Sequence, residues 1–384
     1  MGYVAVTGGK QAIEHSQKLI EAFRTKESTE VLDVKLIEKQ MRHLIDRIMG
    51  EGGLYAPEYA ALALKQAEGD PFEAAFLLRA YRSTLPRNYY SHVIDVRHMR
   101  MIRRISSSFK DIPGGQLLGP TVDYTHRLLN FQLKNENRED LETFLKEFEL
   151  STAELDSVPT FEKVTDLLRE EGLIANDSTS DVEEEPFDIT REKLTFPLPA
   201  SAKLQILSRG ETGAMTAIAY SAMRGYGGVH PTIGELRVGH AEVTIPYPFA
   251  KDGEESIYIG EVMMTEVETI NSFSKGKEDD QDVQFSVGYG LTFGQNEVKA
   301  IAMAILERSL ETQGLGPAQD EEYVLLHIDS IESYGFVSHL KLPHYITFQS
   351  KLDRIRQARE KRESQKEEPE NGKDSGKPIQ HTRI

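Results

Sequence analysis

The spacing of apolar residues changes character along the chain. In "VLDVKLIEKQMRHLIDRIM", Ile37, Met41, Leu44, Ile45 and Ile48 fall on one helical face, while Leu36, Gln40, His43 and Arg47 fall on the other. His43 is thereby expected on a solvated face. "GDPFEAAFLLRAYR" carries a helix start: Asp70 at the N-cap, Pro71 at the first helical position and Glu73 three residues after the cap, ahead of Phe76, Leu77, Ala80 and Tyr81. "EYAALALKQAEG" before it reads as an antiparallel helical neighbour ending at Gly69. Farther on, Thr160 precedes Phe161, Val164, Leu167 and Leu168, with Gly172 closing that helix.

The period then shifts from helical to two. "VQFSVGYGL" alternates Val283, Phe285, Val287, Tyr289 and Leu291 with small or polar residues, the pattern of a half-buried strand. "ELRVGHAEVTI" and "SIYIGEVMMTEV" also read as strands, and "GQNEVKAIAMAILERSLE" restores the helical period. Two further strands are expected around Val324–Ile328 and Phe336–Leu342. Strands in clusters rather than strict alternation with helices predict an α+β fold: a helical N-terminal region, then an α+β domain with a mostly antiparallel sheet. The expected divisions are 1–150, mainly helical with a glycine-rich loop at 112–120; 151–186, helices and the acidic linker "NDSTSDVEEEP"; 187–350, the α+β domain with a histidine-bearing C-terminal strand; and 351–384, a charged tail in which a frayed helix runs into disorder.

Composition narrows the function classes. The chain of 384 residues has a formal charge of −17, which opposes binding to a phosphate backbone and predicts no nucleic-acid partner. No apolar run approaches the roughly 20 residues of a membrane span, and the N-terminus lacks the order of a signal peptide, so a cytoplasmic location is expected. With no cysteine, thiolate zinc and cysteine-ligated iron–sulfur clusters are excluded within this chain, leaving histidines and carboxylates as metal ligands.

Chemistry concentrates in three places. "FKDIPGGQLLGPTVDYTHRLLNF" combines Gly114, Gly115 and Gly119 with Pro113 and Pro120, and Thr121 is placed to cap a helix carrying Asp123, His126 and Arg127. Such a loop can offer N–H groups to a phosphate, with Arg103, Arg104 and Lys110 adding charge, although it is neither a Walker A sequence nor a dinucleotide fingerprint; taken alone, a plain structural loop joining two helices is the simpler reading. "AMRGYGGVHP" repeats the style around Gly225, Gly227, Gly228 and His230, with Arg224 or Arg237 as phosphate candidates. Asp123, Glu235, Glu261, Glu266 and Glu297 are the acid–base candidates, against a background of 62 acidic residues. The third place is "HLKLPHY". His339 and His344 stand five apart, which no single helical or strand face accommodates, so only a turn at Pro343 brings both imidazoles to one point. His327 is the only obvious third ligand, and core or interface histidines are the bland alternative.

"RRISSSFKDIPGGQLLGPTVDYTHRLLNF", "LTFPLPASAKLQILSRGETGAMTAIAYSAMRGYG", "GYGLTFGQNEVKAIAMAIL" and "GFVSHLKLPHY" together resemble the I subunits of the bacterial carbon–phosphorus lyase system, in order from "YVAVTGGKQAIE" to about Ile355. The resemblance implies a core complex with G, H and J subunits, on which an ATP-binding cassette subunit docks. It implies displacement of adenine from MgATP by an alkylphosphonate at C1′, giving ribose 1-phosphonate 5-triphosphate, and purine nucleosidase activity of the subunit alone. Radical cleavage of the carbon–phosphorus bond would belong to the J subunit. It further implies that His339 and His344 bind Zn²⁺ at the boundary with the J subunit. On that reading, Gly114, Gly115, Arg127 and Arg224 are expected near the phosphates, and Asp123 or His126 near the sugar or base. The competing readings are a scaffold contributing only the zinc site and, without the resemblance, an independent metal-dependent hydrolase.

Overall fold

The computed structural model describes residues 9–152, 161–174, 185–226, 231–249, 255–274 and 284–367. The expected cap at Thr160, most of the acidic linker, the turn with Gly227, Gly228 and His230, and the tail beyond 367 with His381 lie outside the described residues.

Two compact units are formed: one by the chain's two ends, Met1–Lys26 with Gly335–Ile384, and one by Glu27–Tyr334. In the first, helix α1 (Lys10–Thr25) buries none of its residues. The larger unit begins with α2 (Val34–Gln40), α3 (Arg42–Gly52), α4 (Pro57–Gln66) and α5 (Pro71–Thr84). Asp70 caps α5 as its sequence predicts, its carboxylate accepting from the Phe72 N–H at 2.9 Å and the Glu73 N–H at 3.4 Å. Ile37, Ile45, Ile48, Ala61, Ala75 and Leu78 close a core among these helices.

The sheet follows a simple antiparallel order, β1 (Arg100–Ile105), β2 (Thr232–Pro246), β3 (Ser256–Ser274) and β4 (Gln284–Phe293). Because β1 pairs with β2, the sheet crosses the division expected near residue 150. Between β1 and β2 the chain forms α6 (Arg138–Thr152), α7 (Val164–Glu170), α8 (Ala200–Arg209) and α9 (Thr212–Ser221). Helix α10 (Glu297–Leu310) follows β4 and lies against the sheet.

The two faces of the sheet differ chemically. Leu236, Val267 and Gly290 stand in register and meet Ala300 and Ala304 of α10. A Cβ added at Gly288 would come within 2.2 Å of the Ala304 carbonyl oxygen, and one at Gly290 within 2.1 Å of that of Ala300. The glycines of "VGYG" therefore exist to let the helix backbone approach the strand. Arg237 and Glu266, and likewise Glu235, Glu268 and Tyr289, occupy the alternate positions and turn a charged surface to the opposite side.

The strands expected at Val324–Ile328 and Phe336–Leu342 are corrected to helices. Helix α11 (Glu321–His327) and helix α12 (Ser330–Ser338) are followed by a 3₁₀ turn at His339–Lys341 and then α13 (Tyr345–Glu367). Asp320 caps α11 by accepting from the Tyr323 N–H at 2.9 Å. That cap, with Glu321 and Glu322 in the first turn, outweighs the β-branched character of a short apolar run. The helix expected after Thr121 is also absent: Val122–Thr125 form a turn, in which the Thr121 hydroxyl accepts from the Asp123 N–H at 3.3 Å.

Candidate functional site

The adjacent arginines of β1 project to opposite sides of the sheet and form no joint cationic patch. Arg104 pairs with Glu235 and donates to the Pro113 and Glu162 carbonyls. Arg103, fully buried, reaches Asp123 at 2.5 Å and Glu297 at 3.0 Å and donates to the Leu118 carbonyl. Its guanidinium thus ties the end of the glycine loop to the first turn of α10. Gln295 donates to Glu297 at 2.7 Å and to the Pro120 carbonyl at 3.1 Å, and it accepts from Arg42. Arg42 and Gln295 are positioning residues that sequence patterns did not reveal, because Arg42 meets Gln295, 253 positions away, and Gln295 meets Pro120, 175 positions away; Arg103, read from the sequence only as added charge, is a positioning residue too.

The glycines themselves are structural. Gly114 has φ +79° and packs under Phe161, whose ring would lie 2.2 Å from an added Cβ. Gly115 has φ +75°, and its N–H already donates to the Ile112 carbonyl at 2.9 Å. The loop's effect is to deliver Asp123. One carboxylate oxygen meets Arg103 and the other meets Arg127 at 3.2 Å, while the side chain remains 42% exposed, open to a ligand. Arg127 adopts φ +53°, an unusual conformation for a residue with a Cβ. His126 beside it is exposed. A fixed carboxylate, an exposed cation and an imidazole at one surface can stabilise positive charge on a sugar, contact phosphate and protonate a leaving base. Arg224 is not joined to this group by any described hydrogen bond; it lies over the Tyr220 ring at 5.7 Å and bonds its hydroxyl.

The other acid candidates are paired inside the fold. Lys163 reaches Glu266 at 2.6 Å and Glu268 at 3.5 Å, and Arg237 donates to Glu266 at 2.9 Å. Burial raises the pKa of Glu266, but the Arg237 and Lys163 charges outweigh it and hold the carboxyl below its ordinary value. For Glu268 burial wins over Lys163 and the pKa rises. Tyr289 donates to Glu266 at 3.2 Å and is pushed up by burial and by that carboxylate. Glu261 pairs with Arg100 at 2.8 Å in more exposed surroundings.

The histidine pair is brought together, though by a different route from a strand end. A 3₁₀ turn after α12 places the ring centres of His339 and His344 5.1 Å apart at an interplanar angle of 71°. Nδ1 of His339 bonds the Phe336 carbonyl, and Nδ1 of His344 lies 2.6 Å from the Leu342 carbonyl. A carbonyl only accepts, so Nδ1 is the donor in both rings, and in the neutral imidazole that arrangement leaves the Nε2 lone pair a metal ligand needs. Two imidazoles bound through nitrogen to one tetrahedral zinc would have ring centres about 5 Å apart, given Zn–N bonds of about 2.0–2.1 Å. The pair fits that separation. No cluster of three or more histidine or acidic ligands occurs among the described residues, so the set is incomplete within them. His327 ends α11 with its Nδ1 2.7 Å from the Tyr323 carbonyl.

Among the described residues, no helix is long and apolar enough to cross a membrane. Residues 2–362 match the family described as bacterial phosphonate metabolism protein (PhnI). The chain is 50% identical over 372 residues to HtxH of Stutzerimonas stutzeri, whose name places it with C-P lyase subunits; the match covers 95% of this chain and 98% of the relative. It is 45% identical over 361 residues to the alpha-D-ribose 1-methylphosphonate 5-triphosphate synthase subunit PhnI of Escherichia coli (strain K12), covering 92% and 97%. The like-named subunit of Rhizobium meliloti (strain 1021) is 42% identical over 363 residues, covering 93% and 95%.

Proposed function

The chain belongs to the PhnI family of bacterial phosphonate metabolism proteins, and from that premise we propose that it is a synthase subunit which works in a carbon–phosphorus lyase complex. The observation carrying this reading is identity of 42–50% over more than nine-tenths of the chain with relatives named for such activity or membership. The reaction is displacement at C1′ of MgATP. The C1′–N9 bond breaks, a phosphonate oxygen bonds to C1′, and adenine leaves with a proton, giving ribose 1-phosphonate 5-triphosphate. With water as nucleophile, the same bond cleavage makes the subunit alone a purine nucleosidase.

Asp123, oriented by Arg103, is positioned to stabilise the oxocarbenium-like sugar, and His126 to protonate the departing base. Arg127 and Arg224 supply cations for the triphosphate that accompanies Mg²⁺. Gly114 and Gly115 shape the loop. His339 and His344 hold zinc through Nε2, with further ligands from a partner such as the J subunit. A zinc ion bound there would act as a Lewis acid toward a phosphoryl or phosphonyl oxygen. The G, H and J subunits and ATP-binding cassette subunits are the partners, and the cytoplasm is the location.

The exposed apolar residues around the histidine pair favour one second reading, a scaffold whose contribution is that interface alone. Incubation of the purified chain, with and without its partner subunits, with MgATP and methylphosphonate separates the two. Adenine release with a ribose triphosphate product is expected. Phosphate release without adenine would mean an ordinary ATPase, and no adenine in either condition would leave the scaffold.

A further inference from the structure

Within Glu27–Tyr334 a cavity of about 320 Å³ opens between the end of α5 with the segment after it and residues 186–190 with α8. Its charged lining is Arg82, Arg87 and Arg209 against one carboxylate, Asp188. That carboxylate is committed. Arg87 pairs with it and donates to the Thr190 hydroxyl at 3.1 Å, while the hydrogen bond from Thr190 and the pairing with Arg87 hold the Asp188 pKa at about 2.

The other two guanidiniums are under-used. Arg82 donates to the Gly53 carbonyl at 3.2 Å. The Arg209 guanidinium makes no hydrogen bond or ion pair with any described residue, and its buried Nε lacks an acceptor. Burial first, then the charges of Arg79 and Arg82, depress the Arg209 pKa to about 10. Arg82 is lowered by burial, Arg79 and Arg87. Asp329 and Glu332 act on Arg209 in the opposite sense; Asp329 gives Oδ2 to Arg79 at 2.7 Å, and its buried Oδ1 meets no donor among the described residues, Arg209 included. Guanidiniums gathered with so few acceptors cost free energy unless an anion joins them.

We propose that this cavity binds a phosphate-type dianion carrying a short extension, gripped by Arg82 and Arg209 with Arg87 at the rim. Guanidinium forks match phosphoryl oxygens, and several of them offer more donors than a lone carboxylate can accept. The volume is at the small end of ligand cavities yet exceeds that of a bare oxyanion. Phe187, Ile189 and Phe293 give the remaining space an apolar wall suited to an organic extension. None of the lining residues belongs to the glycine loop or the histidine pair, so this site stands independently of the base-displacement reading.

The test is calorimetric titration of the full chain with inorganic phosphate, phenyl phosphate and tripolyphosphate at fixed ionic strength, repeated with R209Q and S208D. Binding is expected to be tighter for an extended ligand than for phosphate; phenyl phosphate leading would identify an organic extension and tripolyphosphate a phosphate one. R209Q should weaken it about tenfold or more. S208D, which adds a carboxylate at the cavity wall, should abolish it while leaving the fold intact. No binding of any of the three, tightest binding of inorganic phosphate, or affinity unchanged in R209Q would overturn the proposal. If R209Q fails to fold, wild-type affinity in S208D overturns it equally.

Discussion

The sheet-centred unit and the segment that bears the histidine pair put similar residues to opposite use. In Glu27–Tyr334 most charge that enters the interior is answered: Arg237 by Glu266, Arg104 by Glu235, and Arg103 by Asp123 and Glu297. From Gly335 to residue 365 no residue is buried, and Phe336, Val337, Leu340, Leu342 and Ile346 are each more than half exposed. The imidazoles there are oriented by carbonyls yet lack a third ligand among the described residues. The first region answers most of its buried charge with its own atoms, while the second presents apolar surface and open ligand positions of the kind a partner covers. Stability should therefore reside in the first, and the second should add little to it.

The largest expected effect tests that separation directly. Replacing both His339 and His344 with alanine should abolish growth on phosphonate and remove zinc from the assembled complex. The unfolding free energy of the isolated chain should change by no more than about 0.5 kcal/mol, as for surface substitutions generally. A large loss of stability would show the pair to be structural, and undiminished zinc would end the ligand assignment.

Glycine provides a second contrast, smaller in effect. Gly290→Ala places a Cβ 2.1 Å from the Ala300 carbonyl oxygen, a backbone atom that cannot move aside alone. A loss of about 3 kcal/mol is expected from such overpacking. Gly335→Ala, in α12, meets nothing within 4 Å. That change should be neutral or stabilise by about 0.5–1 kcal/mol through helix propensity. Urea denaturation of both variants sharpens the comparison if the signs differ; equal losses would break it.

The same division explains what the sequence revealed. Local signals were readable: the Asp70 cap, the alternation in "VQFSVGYGL" and the helical period after Gln295 all correspond to observed elements. The histidine segment was misread as a strand because a short apolar run has no decisive period, although Asp320 with two following glutamates signalled helix α11. Pro343 and the spacing allowed a turn to bring His339 and His344 together without requiring it, and the carbonyls that orient the two rings left no mark in the sequence. Strand β1 was missed because Arg103 and Arg104 look like surface charge, and only partners such as Glu235 and Glu297, more than 130 positions away, make their burial tolerable. Long-range charge pairing leaves no periodic trace in a single sequence.

Lys299, like Arg209, is a buried cation that the larger unit leaves without an acceptor, and it yields the last and smallest expected effect. Its side chain is fully buried and its Nζ has no hydrogen-bond acceptor among the described residues. Burial dominates over the favourable charge of Glu51 and lowers the pKa from 10.5 to about 8. Below pH 8 both folded and unfolded chains hold the proton, and the folded state bears a penalty of about 3 kcal/mol for that shift. Between about 8 and 10.5 the folded lysine releases its proton while the unfolded one keeps it, so unfolding takes up a proton and this residue's contribution to stability rises with pH. Lys299→Met should remove the buried charge and stabilise the chain by about 2 kcal/mol at pH 7, as replacement of costly buried charge by apolar volume does elsewhere. The advantage over the wild type should shrink toward zero by pH 10. Denaturation of both proteins at pH 7 and pH 10 checks this, and a destabilised Lys299→Met or a pH-independent difference would mean that the ammonium is satisfied in the folded protein.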